Sequence, residues 1–73
     1  MEIRVENADM PQMKNCYIDT KNFSMSGFYG LSAIEIKQNN FGSYCDCSRF
    51  WLSQKEFNEL YDMMTEMKKQ MED

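Results

Sequence analysis

The sequence predicts an α+β domain: an antiparallel β-meander of three to four strands followed by one long C-terminal α-helix packed on the sheet. Three observations lead there. Ser53-Gln54-Lys55-Glu56 has the Ser-x-x-Glu form of a capping box, which marks a helix start. Apolar residues recur at helical spacing from Phe57 to Met71. Before Ser53, short alternating segments are separated by turn residues, and short connections join only antiparallel neighbours. The whole chain, 1–73, is one domain, β-rich over 1–52 and helical over 53–73.

Glu2-Ile3-Arg4-Val5-Glu6 alternates charged and β-branched residues, as a half-buried strand does. Asn7 to Lys14, with the single proline at Pro11, reads as a loop. Cys16 to Thr20 is the next strand, with Cys16, Ile18 and Thr20 on one face. Lys21-Asn22 is either a tight turn into Phe23-Ser24-Met25 or a bend in a continuing strand. Ser26-Gly27 is read as a turn, and Phe28 to Lys37 as a strand carrying Leu31, Ala33, Ile34 and Ile36. Asn39 to Ser43 supplies a glycine-containing hairpin loop. The last strand runs from about Tyr44 to Leu52, one face reading Tyr44, Asp46, Ser48, Phe50, Leu52 and the other Cys45, Cys47, Arg49, Trp51.

The helix places Phe57, Leu60, Tyr61, Met64, Met67 and Met71 on one side, with Met63 widening the arc. It would be roughly 30 Å long, against about 20 Å for a six-residue strand. Its far end therefore overhangs the sheet, and an overhanging apolar stripe needs a second surface. A two-fold related copy is the usual supplier. A homodimer through Met63, Met67 and Met71 is the expectation.

Composition narrows the function. With 42% hydrophobic and 14% aromatic residues at net charge −4, the chain is too apolar to be disordered. Such a short domain buries only about 60% of the surface its unfolded form exposes, so a partner chain would help it. Residues 1–52 carry five basic and six acidic groups, and residues 53–73 three basic and six acidic. The helix is thus the acidic element, and neither part has the clustered cations of a phosphate-gripping surface. Met1-Glu2 opens no secretory signal and no apolar run reaches ~20 residues, so a cytoplasmic protein with reduced thiols is expected.

There is no histidine, which excludes Ser-His-Asp and Cys-His machinery, and Gly27, Gly30 and Gly42 form no phosphate loop. Asp19, Glu35 and Asp46 could form an acidic pair, but a domain of this size has little room for a cleft. No enzymatic activity and no cofactor are expected. Cys45-x-Cys47 would point both thiols to one side of a strand, with Cys16 as a third candidate metal ligand. Zinc sites favour wider Cys spacing and a fourth ligand. Small apolar side chains in the sheet core are the ordinary role of such cysteines.

The ten aromatics cannot all fit one face of a single sheet. Phe28, Tyr29 and Phe41, beside turns, are the expected outward groups, and exposed aromatic patches mark interaction sites. Glu59, Asp62 and Glu66, on the helix, could hold a basic partner surface through complementary charge. The function expected is that of a small acidic, non-catalytic binding or accessory protein, an inhibitor for example, from a bacterium, phage or mobile element. Its partner would be another protein. The alternative is a single-strand nucleic-acid binder using sheet aromatics with Arg4, Lys21, Lys37 and Arg49.

No family is recognised at the level of residues. The element order, strands and then a helix opening at Leu52-Ser53, resembles the single-stranded-DNA-binding domain of the transcriptional coactivator positive cofactor four. That resemblance implies binding through the sheet, but the basic strand residues that carry it in such proteins have no counterparts in this sequence.

Overall fold

The computed structural model of the protein describes residues 1–39 and 49–72. Five antiparallel strands lie in sequence order, β1 (Glu2–Glu6), β2 (Asn15–Asp19), β3 (Phe23–Phe28), β4 (Ala33–Gln38) and β5 (Arg49–Ser53). Helix α1 (Gln54–Met71) follows and packs on the sheet against β5 and β4. The α+β meander is as predicted, with one strand more than the three to four expected.

The extra strand comes from the middle of the chain. Ser26-Gly27 is not a turn; both residues lie within β3, where they pair with Glu35 and Ile34. The reversal falls instead at Tyr29 to Ser32. Lys21-Asn22 is the tight turn of a β2–β3 hairpin: the Thr20 N–H donates to the Phe23 carbonyl at 2.8 Å and the Phe23 N–H to Thr20 Oγ1 at 3.1 Å. Within the expected loop before β2, Pro11–Met13 forms a single 3₁₀ turn, with proline in the first-turn position where its missing N–H costs nothing. The expected hairpin loop at Asn39 to Ser43 lies, beyond Asn39, outside the described residues, and so does the expected start of the last strand at Tyr44.

Register divides the sheet into two unlike faces. Across the strands run the rows Ile3, Ile18, Met25, Ile36, Phe50 and Val5, Cys16, Gly27, Ile34, Leu52. These two rows of the inner face are wholly apolar, and at its end Phe23 pairs with Gln38. The outer face carries Glu2, Asp19, Ser24, Lys37, Arg49, then Arg4, Tyr17, Ser26, Glu35, Trp51, then Phe28, Ala33, Ser53. The period-2 alternation of β1 and of Cys16, Ile18 and Thr20 is the sequence signal for this division.

The core sits where the helix crosses the inner face, and it is small. Ile34 and Ile36 are the only buried large side chains among the described residues. From the helix only Phe57 and Leu60, in the first two turns, are half-buried; every residue from Tyr61 to Met71 is exposed. The overhang expected at Met67 and Met71 thus begins a full turn earlier. The helix start is built as the sequence implies. The Glu56 N–H donates to Ser53 Oγ at 3.2 Å, and the Ser53 N–H donates to Glu56 Oε1 at 2.9 Å.

Candidate functional site: an aromatic cluster on the outer sheet face

Three strands bring aromatic side chains together on the face opposite the helix. The Tyr17 and Phe28 rings meet edge-on, with centroids 5.8 Å apart and planes at 78°. Phe28 and Trp51 lie 5.7 Å apart at 34°. Small residues make the room: Ser26 is the β3 partner of Tyr17, and Ala33 is the β4 partner of Phe28. Such ring pairs add about 0.5–1.5 kcal/mol beyond the area they cover. The three rings thus form one contiguous cluster.

Tyr29 extends the platform at 6.5 Å from Phe28, and it is 76% exposed. Its backbone is unusual. Tyr29, Gly30 and Leu31 have φ of 54°, 70° and 66°, three left-handed residues in succession, two of them bulky. Left-handed backbone is costly for residues with a Cβ and persists only where neighbours enforce it. Here the Tyr29 N–H donates to Asn15 Oδ1 at 3.3 Å, the Gly30 N–H to the Lys14 carbonyl at 3.0 Å, and Ser32 Oγ to the Tyr29 carbonyl at 2.8 Å. The turn thereby holds an aromatic ring out in solvent.

Charges frame the rings in balanced pairs. The Arg4 guanidinium carbon stands 4.5 Å from the Tyr17 ring centroid, a cation–π distance, and Arg4 Nε lies 3.5 Å from Glu6 Oε1. Arg49 Nε lies 3.8 Å from Glu35 Oε2, beside Trp51. The outer face thus carries Arg4, Lys37 and Arg49 against Glu2, Glu6, Asp19 and Glu35. Paired charges of both signs around aromatics suit a polypeptide surface better than a phosphate backbone, which calls for a net positive track.

Of the expected binding residues, Phe28 and Tyr29 are both in this site; Phe41 lies outside the described residues. Tyr17 and Trp51 join them with no turn beside them to mark them in the sequence, although Trp51 shares the strand face of Arg49. Glu59, Asp62 and Glu66 are exposed on α1, which crosses the other face, so they do not join the aromatics. Glu66 accepts from Lys69 Nζ at 3.1 Å. Asp62 and Glu66 flank a shallow open depression with Met63, Met67 and Gln70. All of its walls come from one helix, so it encloses no ligand. Met63, Met67 and Met71 are 62%, 63% and 77% exposed.

Cys16 sits half-buried on the inner face with a free thiol. Cys45 and Cys47 lie outside the described residues, and among the described residues no three cysteine or acidic side chains gather as a metal-binding group. Asp19 and Glu35 are on the outer face two strands apart, and Asp46 is outside the described residues. No described helix is long and apolar enough to cross a membrane.

The fold and site define a class: a small antiparallel α+β protein that presents an aromatic cluster on the sheet face opposite its helix. Compared with known proteins, the chain matches no family model, no curated protein sequence and no solved structure. The likeness in element order to positive cofactor four therefore carries no further argument.

Proposed function

We propose that this is a non-catalytic binding protein that engages another protein through the outer sheet face, in an accessory or inhibitory role. The observation that carries this reading is the cluster of half-buried Tyr17 and Phe28 with exposed Tyr29 and Trp51, ringed by paired charges of both signs. Aromatic and Arg anchors in this setting are the residue types that dominate protein–protein contacts. The strained turn at Tyr29 fits the same role, since backbone strain concentrates where a side chain must be displayed.

The reading is tested in two steps. A labelled single strand of ~20 nucleotides should show no saturable binding at 50 mM salt, conditions under which phosphate contacts register strongly. Binding that weakens steeply by about 200 mM would replace the protein-directed reading with the nucleic-acid one. Affinity capture from cell extract should then retain a stoichiometric polypeptide with the wild type and lose it with Trp51→Ala and Tyr29→Gly. Glycine suits the left-handed backbone at position 29, so loss there is not a folding defect. Retention unaffected by both variants would remove the outer face from the mechanism.

A further inference from the structure

We propose that two copies of the chain pair by exchanging helix ends: the exposed half of α1 from each copy seats on the uncovered inner face of β1–β3 of the other. This interface lies on the opposite side of the sheet from the aromatic platform and stands independently of the proposed function.

Two unsatisfied apolar surfaces exist in one chain, and each is the complement of the other. Five strands about 4.8 Å apart make a sheet some 20 Å across, whereas a helix is about 10 Å thick. The chain's own helix packs against β5 and β4, where Ile34 and Ile36 are buried although Phe50 stays 45% exposed. Over β1 to β3 the inner face is left with Ile3 61% exposed, Val5 44% exposed, and Cys16, Ile18 and Met25 only half-buried. That strip is one helix wide and bears no charge. Meanwhile α1 leaves its own sheet after Leu60, and its last eleven residues project about 16 Å at 1.5 Å per residue. Along them Met64, Met67 and Met71 continue the 3-4-3-4 spacing that Phe57 and Leu60 begin, so the same stripe that grips the home sheet runs on into open solvent.

The area agrees. A folded monomeric protein of this mass, 8.7 kDa, exposes about 4,700 Å². This chain exposes 6166 Å². The excess of about 1,400 Å² per copy, or about 2,800 Å² for two, falls in the range of obligate homodimers, about 2,000–5,000 Å². A two-fold axis satisfies both surfaces of both chains at once, which a heterologous partner would not. Methionine, unbranched and adaptable, suits a helix that must fit a sheet other than its own.

Light scattering on the full-length protein at about 100 μM should give about twice 8.7 kDa. A monomer at that concentration overturns the proposal. Ile3→Lys and Met67→Glu each replace a solvent-exposed side chain, so each alone should give a folded monomer with wild-type far-UV circular dichroism. Mixed in equal amounts, they should restore the dimeric mass. In the mixed pair one contact joins the new ammonium to the new carboxylate, and the other keeps Ile3 against Met67. A mixture that stays monomeric overturns the exchange. So does an Ile3→Lys variant that remains dimeric while Met67→Glu does not, because the helices would then be pairing with each other.

Discussion

Replacing Ile36 by alanine should be among the most damaging single changes available to this chain. Ile36 sits on the inner face between Met25 of β3 and Phe50 of β5, the face on which α1 packs. It is 8% exposed, and only Ile34 matches it among the large described side chains. The substitution deletes three carbons; at about 0.8 kcal/mol each the transfer loss is about 2.4 kcal/mol. A cavity adds to this, because β3 and β5 are held apart by their own hydrogen bonds to β4 and cannot close the gap, bringing the cost to about 3 kcal/mol. A 73-residue chain has roughly 4–11 kcal/mol in total. The loss is therefore about a quarter or more of the stability. Urea unfolding at fixed protein concentration, followed by the single Trp51, measures it directly. Trp51 pairs with Glu35, next to Ile36 in β4, so its signal reports on the strands concerned. The midpoint should fall while the slope with urea stays unchanged. A change below about 0.5 kcal/mol, the usual range for surface positions, would refute the placement of the core beneath the helix.

Two further outcomes follow from the backbone and the cap. Gly30→Ala should cost about 1–2 kcal/mol from its left-handed conformation alone. The new Cβ would also meet the Pro11 carbonyl oxygen at 2.7 Å, backbone that cannot swing aside. Gly27→Ala should cost less, since its close contact at 2.7 Å is the tip of the Leu31 side chain, which can rotate away; equal thermal shifts for the two variants would contradict this. The Ser53 backbone N–H, and then its hydroxyl, hold the Glu56 carboxyl below the ordinary value of 4.5. A lowered folded-state value means the cap's ionic contribution is complete above about 4.5 and is lost as pH falls through that lowered value. Glu56→Gln keeps a neutral acceptor and does not titrate. The stability difference between wild type and this variant should therefore be constant from pH 7 to about 5 and shrink below about 4.5. A difference that does not change with pH would show that the carboxylate is not what caps the helix.

Much of the architecture was legible in local chemistry. The capping box at Ser53 and Glu56 needs only four residues to form, so it marked the start of α1 correctly. The alternation in β1 and in Cys16–Ile18 named the inner face, because a strand's side chains alternate whatever sheet it joins. The β3–β4 turn was misplaced for an equally physical reason. Ser26-Gly27 has turn composition, but Gly27 is buried within β3 and Leu31 fills the space beside it. The true reversal uses Tyr29 and Leu31 in left-handed backbone, which no propensity favours and which backbone N–H bonds to Asn15 Oδ1 and the Lys14 carbonyl sustain.

The site divides in the same way. Phe28 and Tyr29 stood out as aromatics beside a turn. Tyr17 and Trp51 joined them only through register, since their meeting depends on Ser26 and Ala33 lying opposite and being small. By itself the sequence determined the order of elements, the helix start and the two-faced strands, because these rest on periodicity and on contacts within four residues. The tertiary structure decided which aromatics share a surface, that the helix leaves its sheet after Leu60, and that the inner face of β1–β3 stays open. Those follow from the width of a five-stranded sheet against that of one helix, a comparison that exists only once the strands are paired.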